Sequence, residues 1–166
     1  MSHLSDIWST ARRYSRGYLH DPPARIHPRI LFGPGSWLEN REFIGENSIT
    51  HVINCAFDED CPEWFRNEHP DKYVCLNAVD SVDAFILHWY DEFETTMQRF
   101  LQDRECKTVF VHCQCGINRS GFLCLAFACR KLGYSYNDVV HSILKQRPCA
   151  LTNPKYRLQV FHFCNH

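Results

Sequence analysis

Residues 112–121 read His-Cys-Gln-Cys-Gly-Ile-Asn-Arg-Ser-Gly, which sets a thiol, a guanidinium and a hydroxyl around a glycine within one short stretch. A cysteine attacks as its thiolate and can form a covalent intermediate. An arginine fork suits two oxygens of one phosphate. Glycine lets the backbone turn tightly enough for successive N–H groups to face an anion. Four uses of such a stretch are open: a metal knuckle, a redox pair, an anion cradle or a plain loop.

The first two fail on spacing. His112, Cys113 and Cys115 supply three ligands, but no second pair at ligand spacing closes a tetrahedral set, so no metal and no cofactor is expected. Cys113 and Cys115 are too close in sequence for an unstrained disulfide. The flanks favour the cradle. Residues 107–113, Lys-Thr-Val-Phe-Val-His-Cys, form a near-continuous apolar run, as a strand buried on both faces requires. An apolar helix from about Ser120 to Leu132 follows, stopped by Gly133. A loop between a buried strand and a helix N-terminus collects amide N–H groups and the positive end of the helix dipole.

The expected object is a phosphate cradle made by Gln114, Cys115, Gly116, Ile117, Asn118 and Arg119, with the sulfur of Cys113 at its floor. The field of the helix and of Arg119 favours the thiolate. His112 orients the loop or bonds its backbone, and the Ser120 hydroxyl lies beside the sulfur. Such a thiolate would take a phosphoryl group, with the loop amides and Arg119 stabilising its oxygens in the transition state. The leaving oxygen needs a proton. Asp80 is the preferred donor because it ends the run 72–79 at a strand edge, while its rival Asp83 belongs to the first turn of a helix.

These residues need a scaffold. Residues 29–33 read as a strand closed by a Gly-Pro-Gly turn, and 36–47 as a short helix with Ser36 as N-cap. Residues 51–57 and 72–79 read as strands, the first followed by a polar loop with Pro62 and Pro70. The spacing of Phe85, Ile86, Trp89, Phe93, Met97 and Phe100 predicts one amphipathic helix over 82–103. Ser135 caps a helix that ends before Pro148, and Asn153 and Pro154 open a last one. Strands alternating with helices predict a single α/β domain, with a mostly parallel twisted sheet of about five strands flanked by helices. Upstream, residues 1 to about 20 read as a helix with Ile7, Ala11, Tyr14 and Tyr18 at helical spacing. Residues 21–28 read as a stiff Pro-rich linker. The helix is expected to dock on its own body, to swap onto a second copy, or to stay mobile.

Bulk composition narrows the partners. The chain has 166 residues, 45% of them hydrophobic, and a formal net charge of -1. That balance argues against bulk nucleic-acid binding and against a membrane surface. The longest apolar run, 122–129, is too short to span a bilayer, and the first residues carry no secretory pattern. The ten cysteines are therefore expected as thiols in a reducing cytoplasmic compartment, mostly as small buried residues. Cys55 and Cys124 are the candidates for protecting Cys113 on oxidation.

The stretch His112–Ser120 resembles the H-C-x-x-G-x-x-R-S/T loop of the cysteine-dependent protein phosphatases. Residues 73–81, ending in Asp80 and Ser81, resemble the general-acid loop of the dual-specificity branch, and 29–57 resemble its first two strands. The likeness is nearest to the compact viral members of the poxvirus virion type, which carry the same G-x-N-R-S-G. It implies a protein tyrosine phosphatase-like fold, with residues 28–166 as catalytic domain and 1–27 as an N-terminal helix and linker that can be exchanged in a homodimer through residues 1–20. It also implies catalytic roles for Cys113, Arg119, Asp80 and Ser120, and phosphorylated proteins as substrates. For a viral protein, the place of action would be the virion or the host cytosol. Two alternatives stay open. One is an RNA 5′-triphosphatase of the same superfamily, whose relatives commonly carry Thr after the Arg where this chain has Ser120. The other is a phospho-binding protein without turnover. Phosphoinositide phosphatases usually place lysines in the loop, where this chain has Gln114, Cys115, Ile117 and Asn118.

Overall fold

A computed structural model describes residues 2–166, and side chains from residue 6 onward; Met1 lies outside the described residues. Five strands form one sheet in the order β1-β2-β5-β3-β4. They are β1 (Ala24–His27), β2 (Ile30–Pro34), β3 (Ile49–Asn54), β4 (Tyr73–Cys75) and β5 (Thr108–Cys113). Only β1 is antiparallel; β2 and β3 flank β5 in parallel, and β4 lies parallel to β3. The helices are α1 (Ser2–Tyr14), α2 (Arg41–Glu46), α3 (Glu63–Glu68), α4 (Tyr90–Gln102), α5 (Arg119–Arg130), α6 (Tyr136–Gln146) and α7 (Pro154–Asn165).

The two-residue repeat of the strands sorts their side chains onto two faces. Ile30, Phe32, Ile53, Val109 and Val111 join the larger core with α4, α5, α6 and α7. Leu31, Val52 and Phe110 join the smaller one, against Phe65 of α3 and Leu38. Helix α5 is buried over most of its length. Every residue from Arg119 to Ala128 is buried, and each large apolar side chain among them contributes roughly 1.5–3 kcal/mol. β5 and α5 together therefore fix the floor of the sheet edge where the loop 114–118 sits.

Several expected elements change shape. The linker supplies β1: Pro22, Pro23 and Pro28 bracket residues 24–27, and an edge strand is where such prolines are tolerated. Residues 36–47 split into a 3-10 turn, Gly35–Glu39, and α2. The cap is Asn40, which accepts from the N–H groups of Glu42 and Phe43, and not Ser36. The loop between Pro62 and Pro70 contains α3. The strands expected over 51–57 and 72–79 are shorter, ending at Asn54 and Cys75.

The long helix also fails before residue 86. A 3-10 turn covers Ile86–Trp89 and α4 starts at Tyr90, so Asp83 stands in a loop and not in a helical turn. Tertiary bonds compete for that backbone. Tyr156 Oη donates to Val79 O (2.7 Å) and accepts from Ser81 N (3.2 Å), while Gln159 accepts from Ile86 N (2.9 Å) and donates to Ala84 O (3.1 Å).

At the other end, α1 lies along α6 of its own chain with Trp8 and Ala11 buried. The Arg157 guanidinium sits 4.1 Å from the Trp8 ring centroid. The buried side is thus Trp8 and Ala11, while Tyr14 is exposed and Tyr18 lies beyond the helix.

Candidate active site

Cys113 ends β5 and Arg119 begins α5, so the loop between them spans from a strand end to a helix start. It closes on itself: Cys113 Sγ and Ser120 Oγ are 3.2 Å apart. Gly116 makes the tight turn at φ +66°, and a side chain there would run into the backbone of Gly33 and Pro34. Cys113 is 2% exposed, at the bottom of the loop.

Four carbonyls on the outside of the loop are bonded. Cys113 O meets His112 Nδ1 at 3.0 Å. Cys115 O and Gly116 O accept from Arg147 Nη2 and Nε, both at 2.8 Å. Ile117 O accepts from Leu151 N at 2.9 Å. Among the described residues the peptide bonds are trans, and a trans peptide sets its N–H opposite its C=O. The N–H groups of Gln114, Gly116, Ile117 and Asn118 therefore turn away from those partners. Among the described residues the amides of 114–118 have no protein acceptor. A row of unpaired donors at a helix N-terminus is an anion site.

Arg119 is 8% exposed, with Nη1 donating to Ala78 O at 3.0 Å and Nε buried without a partner. A buried, unpaired guanidinium N–H next to this loop is a donor held ready for an acceptor. His112 is wholly buried and neutral, its pKa pulled down to about 4 by burial, against the bond to Cys113 O and with help from the charge of Arg119. It acts on the loop through its ring N–H. Burial, then repulsion from Cys113, raises the pKa of Cys55 and of Cys115, and the same two causes act on Cys124. The neighbouring sulfurs stay thiols.

Asp80 lies across the opening, its Oδ2 accepting from Asn118 Nδ2 at 3.4 Å. Asn118 is itself anchored, its Oδ1 accepting from Asn153 N (2.9 Å) and Thr152 Oγ1 (3.3 Å). Asp83 instead stands outward, 3.8 Å from Lys155 Nζ. The structure thus brings Asp80 to the loop 113–120, while Asp83 faces Lys155.

This chain matches the model of the "Dual specificity phosphatase, catalytic domain" over residues 34–166. The chain belongs to that family. It is 31% identical over 137 residues to the probable dual specificity protein phosphatase of Dictyostelium discoideum, covering 82% of this chain and 33% of that one. To human dual specificity protein phosphatase 4 it is 27% identical over 148 residues, covering 87% and 36%. It spans about a third of the length of these relatives. The crystal structure of human DUSP28 superposes with a TM-score of 0.72 at 19% identity, covering 87% of this chain and 93% of that one, which shows the shared fold.

Sequence reasoning missed the supports of this site. Arg147 reads as the basic end of a helix, yet it is fully buried against the loop. Tyr156 and Gln159, three apart on α7, hold the Asp80 loop from more than seventy positions away. Their spacing on one helix face was the available signal. Beside the cradle, with Gln114 in its wall, lies a groove of about 530 Å³ whose other walls carry Glu39, Glu59, Asp60, Glu63 and Arg66. A larger cavity, about 640 Å³, lies between α1 and α6, away from the loop.

Proposed function

We propose that this chain is a phosphoprotein phosphatase that hydrolyses phosphotyrosine and phosphoserine or phosphothreonine through a phosphocysteine at Cys113. The observation that carries the reading is the closed loop: Cys113 Sγ beside Ser120 Oγ, with the carbonyls of Cys113, Cys115, Gly116 and Ile117 tied away from it. In the first step Cys113 Sγ bonds to phosphorus while the ester P–O bond breaks. The carboxyl of Asp80, in its acid form, gives its proton to the leaving oxygen. The loop amides and Arg119 Nε take the equatorial oxygens. In the second step water attacks phosphorus, Asp80 takes its proton, and the P–S bond breaks. Ser120 Oγ stabilises the departing sulfur with a hydrogen bond, and inorganic phosphate leaves.

The groove beside the cradle supports a protein substrate over RNA. Four carboxylates against one guanidinium repel a polyanion that would have to cross it. On this reading the chain works in a reducing compartment, where Cys113 stays reduced: the cytosol or, for a protein of the compact viral kind, the virion or host cytosol. Exchange of residues 1–20 within a homodimer belongs to the same reading, with the buried side of α1 as the shared surface.

The test is turnover of an aryl phosphate by the wild type and by Cys113→Ser. The variant is expected to lose turnover and still bind inorganic phosphate; turnover surviving in it would refute the mechanism. Faster release of phosphate from 5′-triphosphorylated RNA than from phosphopeptides would favour the RNA reading.

A further inference from the structure

Residues 1–33 lie outside the match to the catalytic domain, yet part of this stretch is bonded into the catalytic loop. The connection is Arg147, at the end of α6. It is 0% exposed, and its five N–H groups all end on backbone carbonyls. Nε donates to Gly116 O (2.8 Å) and one Nη2 N–H to Cys115 O (2.8 Å). The other Nη2 N–H reaches Tyr18 O (2.8 Å), and Nη1 reaches Asp21 O (2.7 Å) and Pro22 O (3.3 Å). Two donors therefore serve the cradle and three serve the N-terminal stretch.

That stretch is folded to meet them. Gly17, at φ +96°, starts a turn in which the N–H groups of His20 and Asp21 both reach Gly17 O. The Asp21 carboxylate is 2% exposed and gathers three donors: Ser15 Oγ (2.7 Å), Arg16 N (2.7 Å) and Cys149 N (3.0 Å). Asp21 thus fastens the stretch both to itself and to the residue two positions after Arg147. Burial alone would raise its pKa, but these donors outweigh that and hold it below the usual carboxylate range.

We propose that residues 15–22 are a positioning element of the phosphate cradle: they hold the Arg147 guanidinium in the one plane that ties back Cys115 O and Gly116 O, and so aim the N–H groups of Gly116 and Ile117 at the phosphate. The physics is the planar fork. A guanidinium cannot rotate one N–H without moving the other four. If the acceptors at Tyr18, Asp21 and Pro22 go, three donors of a buried cation are left unpaired, which is costly enough to move it. The two loop carbonyls move with it, and the trans peptide carries the shift to the N–H groups on the other side. The inference rests on the phosphatase reading and adds to it that catalysis depends on a segment upstream of the catalytic domain.

The test uses the full chain carrying Asp21→Ala, Ser15→Ala as a milder release of the same clasp, Arg147→Lys, and the pair Asp21→Ala with Arg147→Lys. The measurements are kcat and KM for an aryl phosphate, inhibition by inorganic phosphate, the urea midpoint, and the NMR amide positions of Gly116 and Ile117. Asp21→Ala is expected to lower kcat on the order of tenfold under conditions where it is fully folded. It should also weaken phosphate inhibition and shift both amides, with Ser15→Ala smaller in the same direction. In the Arg147→Lys background, Asp21→Ala is expected to add less than about twofold, because the route is already cut. A clasp that serves stability alone gives a lower urea midpoint with unchanged kcat, phosphate inhibition and amide positions, and that result overturns the proposal. So do full, multiplying effects in the pair. If the wild type turns over no aryl phosphate, the phosphatase reading fails; phosphate binding and the two amides still decide the clasp.

Discussion

Replacing His112 with asparagine is expected to change how stability responds to acid. The ring is fully buried, and its pKa falls from 6.5 to about 4, through burial first. Below pH 6.5 the unfolded chain takes up a proton that the folded chain refuses. Stability is therefore whole above 6.5 and is lost as the pH falls toward 4. The full gap corresponds to about 3 kcal/mol, of which about 2 kcal/mol is already lost at pH 5. His112→Asn keeps an N–H donor for Cys113 O and has nothing to protonate. Urea titrations of both proteins at pH 7 and pH 5 give the stability difference between them. That difference is expected to move by about 2 kcal/mol against the wild type on going to pH 5. The comparison cancels other titrating groups, including His27, whose pKa is also lowered by burial and by Arg29. Parallel losses in the two proteins would mean that the His112 ring protonates freely in the folded state, and the account of how Gln114 N–H is aimed would fall with it.

Two further predictions concern the rim of the site. Asp80→Ala should slow alkyl phosphates by roughly 10²–10⁴ and aryl phosphates much less, with Asp83→Ala near wild type; the opposite order in steady-state kinetics would move the acid to Asp83. Replacing Glu39, Glu59 and Glu63 together by glutamine should cut kcat/KM for phosphopeptides flanked by lysines by roughly three- to tenfold at low salt, leaving a small aryl phosphate unchanged. Equal rates on lysine-flanked and neutral peptides in the wild type would show that the groove does not touch substrate.

What could be read from the sequence was local. Residues 107–132 declare a buried strand, a turn and a buried helix through their own apolar pattern, and the structure puts β5 and α5 there. Cys113, Arg119 and Ser120 came with them. The distant supports stayed hidden. Residues 82–85 have the spacing of a helix, but Tyr156 and Gln159 take the backbone groups that a helix would use. β1 was hidden by its prolines, since a four-residue edge strand bracketed by Pro looks like a spacer. Arg147 stayed unread because nothing in a helix-end arginine says that its partners are carbonyls in two other segments.

The burial of most of α5 has a consequence for how the molecule fails. Its first ten residues, including Arg119 and Ser120, are buried, and Phe122 to Ala128 belong to the larger core, so this half of the cradle has no way to fray on its own. Loosening it requires the whole cooperative unit to come apart. Heat or denaturant should therefore switch the molecule off in a single step together with its tertiary structure, with no partly active population in between.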